Sequence, residues 1–130
     1  MKRISSIMGS VQSDMRSLHA FIADAMRQVA YYVKDNDLQY NIRLVIDELL
    51  LNGADHGNAW DSQKKVHLRI DFKPEELCIT VRDEGAGIKH RLEDVDCTND
   101  SCSGRGLFIV NAICDSVHYD GNTVRCYLDI

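Results

Sequence analysis

The sequence predicts an α+β protein: a two-layer α/β sandwich with a mainly antiparallel or mixed sheet and helices on one of its faces. Three observations predict it. Two early stretches repeat apolar residues every three or four positions, the period of an amphipathic helix. Four later stretches alternate apolar with polar residues, the period of a half-buried strand. Their order is α, α, β, β, loop, α, β, β, and alternating strands need one covered face while amphipathic helices need a surface to cover.

Residues 3–8 read as a short, mixed edge strand. Leu18, Phe21, Ile22, Ala25, Met26, Val29, Ala30 and Val33 form one apolar stripe, so residues 14–34 are expected to be helical, with Ser13 or Asp14 as cap. KDND at 34–37 breaks that helix, and a second is expected from about Leu38 to His56, closed by Gly57. Val66, Leu68, Ile70 and Phe72 alternate with polar residues, as do Leu77, Ile79 and Val81, joined by KPEE with the only proline. This predicts a hairpin. Residues 84–103 have no periodicity and read as a long loop, and loops of that length inside compact domains are usually functional. A third helix is expected from Gly104, followed by a hairpin from Ser116 to Ile130 around DGN.

A length of 130 residues fits a single domain over 1–130. The net charge of −5 disfavours nucleic acid or an anionic membrane as a direct partner, because such a surface gains little from counterion release. No apolar run approaches a membrane span, and MKRISSIMGS lacks the apolar core of a secretory signal. Five scattered cysteines do not make a disulfide framework, so a reducing cytoplasm is the expected setting. Cys78, Cys114 and Cys126 lie in apolar segments and read as small core residues. Cys97 and Cys102 flank a loop, and no second pair completes a structural zinc site with them.

Three polar clusters interrupt the apolar pattern. Glu48 and Asn52 are four apart, about 40° around a helix, with Asp55 and His56 in the next turn. The bland alternative is a solvated helix face. Against it, Asn is a poor mid-helix choice beside Leu49, Leu50 and Leu51, and Gly53 costs about 1 kcal/mol relative to Ala. Such a glycine suggests close approach of a backbone or ligand, or tight packing. The second cluster is Asp83-Glu-Gly85-Ala-Gly87-Ile88 where a buried strand ends: two glycines that admit a flat ligand and a carboxylate to orient it, or simply a tight turn. The third is Ser103-Gly104-Arg105-Gly106-Leu107 opening an apolar helix, where free amides can bind an anion or merely be capped. It is neither a Walker sequence nor a dinucleotide fingerprint.

Taken together and in this order, the clusters resemble the histidine-kinase-like ATPase superfamily with its Bergerat ATP-binding fold, and within it the anti-sigma factor serine/threonine-protein kinases. The first box of that family is matched by Glu48-Leu-Leu-Leu-Asn52-Gly-Ala-Asp-His56-Gly57. The second is matched by Asp83 to Ile88, the third by Gly104-Arg105-Gly106-Leu107, and the closing strand by Gly121-Asn122-Thr123-Val124. The resemblance implies ATP and Mg²⁺ as ligands. It assigns Mg²⁺ to Asn52 and the general base to Glu48. It assigns the adenine acceptor to Asp83, the purine pocket to Gly85 and Gly87, water-mediated support to Thr123, and the phosphates to Gly104–Gly106. Ile88 and Leu107 complete the boxes, and residues 88–103 would be the ATP lid. Arg105 is either a stabiliser of charge on the transferring phosphoryl group or a solvated contact. His56 is expected to close the helix end.

The resemblance further implies a cytoplasmic kinase of a bacterial partner-switching system. It would sequester a sigma factor or other regulator and phosphorylate an anti-anti-sigma (STAS-type) partner on Ser or Thr, with a homodimer plausible. The exposed side of the first helix, including Arg16, and the lid are candidate partner surfaces. Two alternatives stay open: a non-catalytic ATP-bound binding module, and a sensor-histidine-kinase-type catalytic domain acting on a separate His protein. The chain shows no phosphoacceptor helix pair, and His19 reads as a helix-flank residue.

Overall fold

The computed structural model describes residues 5–85 and 104–130. It is the expected two-layer sandwich. The first strand, β1 (Ser5–Gln12), leads into helices α1 (Met15–Tyr32) and α2 (Asn36–Asn52), and α2 runs on as a π-helical turn, Gly53–Gly57. The hairpin β2 (Lys65–Phe72) and β3 (Glu76–Arg82) follows, then α3 (Gly104–Ile113) and the hairpin β4 (Ser116–Asp120) and β5 (Thr123–Asp129). The sheet order is β1-β2-β3-β5-β4, with every described pairing antiparallel.

Local chemistry explains the boundaries. Asp14 caps α1 by accepting from the Ser17 amide at 2.8 Å and the Ser17 hydroxyl at 2.9 Å. Asp35 caps α2 by accepting from Asp37 N–H and Leu38 N–H, so α2 starts earlier than its apolar stripe suggested. β1 is longer than the expected 3–8 segment. Its full register against β2 runs from Ser5 opposite Phe72 to Gln12 opposite Lys65. At the other hairpin Gly121 takes a φ of 60°, as a tight turn between β4 and β5 demands.

The core lies between the helices and one face of the sheet. Val29, Ile42, Val45, Ile46 and Leu50 from the helices are fully buried, as are Val66, Ile70, Leu77 and Ile79 from the sheet. Val110 of α3 joins them, and α3 packs on α2. Cys114 and Cys126 are free thiols in this core. Cys78 is also buried but on the opposite sheet face, 3.8 Å from the Thr80 hydroxyl. Cys97 and Cys102 lie outside the described residues.

The end of α2 departs from expectation. Gly57 ends the helical run where a closing glycine was expected, but it is not left-handed itself. The left-handed residues are instead Ala59 and Trp60, with φ of 53° and 57°. Each costs about 1 kcal/mol or more for a residue with a Cβ. They are held there by backbone bonds from Asn58, Ala59 and Trp60 N–H to the carbonyls of Gly53, Asp55 and Ala54. Closure therefore runs through this backbone set, while His56 is exposed and stands 3.6 Å from the Asp55 carboxylate.

Asn58 locks this turn to the sheet. It is 1% exposed, and its amide donates to the Ser13 hydroxyl and to Lys65 C=O, both at 3.0 Å, while its oxygen accepts from Glu84 N–H at 2.8 Å. One side chain thus joins the end of β1, the start of β2 and the exit of β3. Asn58→Ala strands buried polar groups on these segments and is expected to lower stability by about 2–4 kcal/mol, read as a fall in the urea midpoint. A loss below about 0.5 kcal/mol, typical of surface changes, would show that water replaces these bonds freely.

Candidate functional site

The site is built where the C-terminal end of α2 meets the exit of β3. Glu48 and Asn52 lie one turn apart on α2, and both are half-buried. Asn52 is the last α-helical residue before the π turn. Such π segments inside helices recur at functional sites. The Nδ2 of Asn52 is buried and has no hydrogen-bond partner. A buried amide nitrogen without a partner costs about 1–3 kcal/mol, so this atom is expensive to the fold by itself.

Gly53 explains how the helix comes so near the sheet. A Cβ there would lie 3.0 Å from a Val66 methyl and 3.6 Å from the Asp83 Cβ. Tight packing is thus the reason for a glycine in this turn, and it puts the residue after Asn52 beside Asp83.

Asp83 follows the last residue of β3 and is 2% exposed. Its Oδ1 accepts from Gly85 N–H at 2.9 Å. Its own N–H donates to Asn122 C=O at 3.1 Å, and the Asn122 amide donates back to the carbonyls of Asp83 at 3.2 Å and Gly85 at 2.9 Å. The turn between β4 and β5 therefore clamps the exit of β3. Thr123, half-buried and the first residue of β5, follows this clamp, but its register opposite Arg82 puts its side chain on the sheet face away from Asp83, so the expected purine support from Thr123 does not join the site.

Gly85 is required by close approach. A Cβ on it would sit 1.7 Å from the carbonyl oxygen of Gly57. Its bare backbone faces the π turn, a reason for this glycine that the sequence motif alone did not reveal. Leu107 of α3 is buried, and Gly104, Arg105 and Gly106 form the first residues of that helix. Gly87, Ile88 and the segment 88–103 lie outside the described residues. No cluster of three or more His, Cys, Asp or Glu suited to a metal occurs among the described residues.

Electrostatics distinguish Glu48. Burial pushes its carboxyl up from the ordinary value, and the neighbouring Asp47 charge pushes it further. Burial also raises Asp47, opposed by Arg43 and His19. Asn58 and Asn122 were the residues whose roles the sequence did not reveal. Both are Asn at element ends, a position where side-chain-to-backbone bonding is common.

A family model described as a histidine kinase-like ATPase domain matches residues 11–128. The chain belongs to that family. This histidine kinase-like ATPase domain is also 32% identical over 85 residues to a protein named anti-sigma F factor from Oceanobacillus iheyensis. The match covers 58% of this chain and 56% of that protein, so it spans little more than half of either. Among the described residues no helix is long and apolar enough to cross a membrane.

Two outcomes are expected. Gly85→Ala must push the β3 exit away from Gly57, so both the urea midpoint and the affinity for adenine nucleotides should fall; unchanged values would mean that the loop shifts without cost. Glu48→Gln tests the carboxyl. A folded value above the unfolded one contributes stability that is full below the unfolded value and lost as pH rises through the folded one. The variant should therefore gain stability over the parent as pH rises from below the carboxylate range to neutrality. Urea midpoints at the two ends check this, and a pH-independent gap would contradict it.

Proposed function

We propose that this histidine kinase-like ATPase domain is an ATP-dependent protein serine/threonine kinase that acts in partner switching. It would hold a sigma factor or comparable regulator and phosphorylate an anti-anti-sigma partner on Ser or Thr. The observation that carries the reading is the junction of α2 with the β3 exit. It sets the half-buried Glu48, the orphaned amide of Asn52 and the buried carboxylate of Asp83 on two elements in contact through Gly53. The partial similarity to an anti-sigma F factor supports the choice of partners.

The residues fit the ligands. Asn52 would hold Mg²⁺ through its amide oxygen, leaving the buried nitrogen to a phosphate oxygen, which answers its lack of a protein partner. The metal supplies charge neutralisation across the phosphates. Asp83 would accept the adenine amino group, supported by Gly85, Gly87 and Ile88. Gly104, Gly106 and Leu107 would bring the start of α3 to the phosphates, where unpaired amides favour negative charge. Arg105 would offset charge on the transferring group. Glu48 would take the proton from the attacking hydroxyl. Its raised affinity for a proton moves it toward the neutral range where a general base works best.

Incubation with labelled ATP, Mg²⁺ and a candidate single-domain partner should place phosphate on serine or threonine of the partner. Absence of transfer to every cognate partner would remove the kinase reading and favour an ATP-bound binding module. Glu48→Gln should keep ATP binding and lower transfer by about 10²–10⁴-fold, and undiminished transfer would reject Glu48 as base. Asp83→Asn keeps an acceptor for Gly85 N–H but should weaken ATP binding by about 10- to 100-fold. Equal affinity would mean that adenine binds elsewhere.

A further inference from the structure

The sheet has a second face, which the helices leave uncovered. Side chains on it form rows across the strands. One row runs Met8, Arg69, Thr80, Arg125, His118, and the next runs Ser10, His67, Arg82, Thr123, Asp120. Arg69 and Arg125 both stand directly opposite Thr80, and Arg82 lies two residues further along the same strand. Three guanidinium side chains therefore surround one threonine, within about 10 Å across the strands and 7 Å along them. All three are exposed.

The charges on this face are unevenly compensated. Arg69 is bound by the Asp71 carboxylate at 3.0 Å, Lys73 stands 3.8 Å from Glu76, and both Glu84 oxygens are taken by the Lys65 amide and His67. No ion pair within 4 Å is found for Arg82 or Arg125 among the described residues, nor for the Lys65 ammonium, although the Arg82 charge helps to hold the Glu84 carboxyl below its ordinary value. Like charges at diagonal cross-strand positions repel, so the fold bears a cost here that a smaller polar residue would avoid. Beside the arginines lies a groove of about 420 Å³, lined by Met8, Ser10, His67, Thr80 and Arg82 among others. Met8 is 68% exposed and forms an apolar edge.

We propose that this face is a docking surface for a carboxylate-bearing segment of a partner protein, with Arg82 and Arg125 as its anchors and Met8 as its apolar contact. The spacing suits the occupant. Acidic residues two apart on an extended chain are about 7 Å apart, and four apart on a helix about 6 Å apart, the separation of the unpaired guanidinium positions. Nucleic acid fits less well. The molecule carries −5 overall, which repels a long polyanion, whereas a short segment senses only the charges within a screening length of about 8 Å. A second copy is left to the test: Asp71 and Glu76 on this face are occupied by Arg69 and Lys73, but Asp120 on the same face has no ion pair among the described residues.

The test uses the full chain, isotope-labelled for amide NMR. It is titrated with a short synthetic peptide alternating Glu and Leu, with the same peptide carrying Gln for Glu, and with a DNA duplex. The acidic peptide should move the amides of 67–69, 80–82 and 123–125. The double variant Arg82→Glu with Arg125→Glu should bind it at least about tenfold more weakly, and Arg125→Glu alone several-fold more weakly. ATP affinity should not change, and the urea midpoint should not fall, since the repulsion between the arginines is relieved. The proposal is overturned if the shifts are absent or map elsewhere. It is equally overturned if the Gln peptide or the duplex binds as well, or if the face proves to be self-associating, with the variants abolishing a dimer seen by sedimentation.

Discussion

The backbone of Gly85 rests against the carbonyl of Gly57, and much of the molecule's functional end follows from that contact. A methyl group at Gly85 would overlap the Gly57 oxygen, so the strand exit and the helix end can meet only without side chains. The approach brings Glu84 N–H within reach of the Asn58 oxygen and holds Asp83 under the last turn of α2, where Gly53 makes room for it. On the far side Asn122 fixes the same residues from the β4–β5 turn. Two helix-end glycines and two asparagines convert a helix packed on a sheet into a junction of defined shape.

That junction is polar at a depth where polar groups are costly. The fold satisfies most of it: the Asn58 amide is fully engaged, and Asp83 accepts a backbone amide. The exceptions lie on α2. The Asn52 amide nitrogen is buried without a partner, and Glu48 sits where burial opposes its ionisation. Ordinary packing leaves such groups rarely, because each forfeits hydration without recovering a bond. Their place on one helix face, next to a π turn and two left-handed residues, fits a site whose last partners come from a ligand.

The two sheet faces divide the labour differently. The covered face supplies the buried valines, isoleucines and leucines that hold α1, α2 and α3. The open face carries arginines whose charges the chain only partly balances, although the molecule as a whole is acidic. The period-two alternation that buries one face necessarily exposes the other, so its composition is free to serve recognition.

By itself the sequence determined the layers. The three- and four-residue stripe of α1 and the alternation in β2, β3 and β5 identify elements and their buried faces, because local periodicity is imposed by helix and strand geometry. It also marked Glu48, Asn52 and Asp83 as polar residues in apolar company. It did not determine the full length of β1, whose hydrogen bonds come from β2 some sixty residues later in the chain. Nor did it show that Ala59 and Trp60, rather than Gly57, would take the left-handed turn, since three backbone bonds to the π turn impose that conformation. Only the tertiary structure decided which glycine faces which carbonyl, what Asn58 and Asn122 hold, and that Arg69, Arg82 and Arg125 gather around one threonine. Strand register and contacts between distant segments set these relations, and no short window of sequence contains both partners.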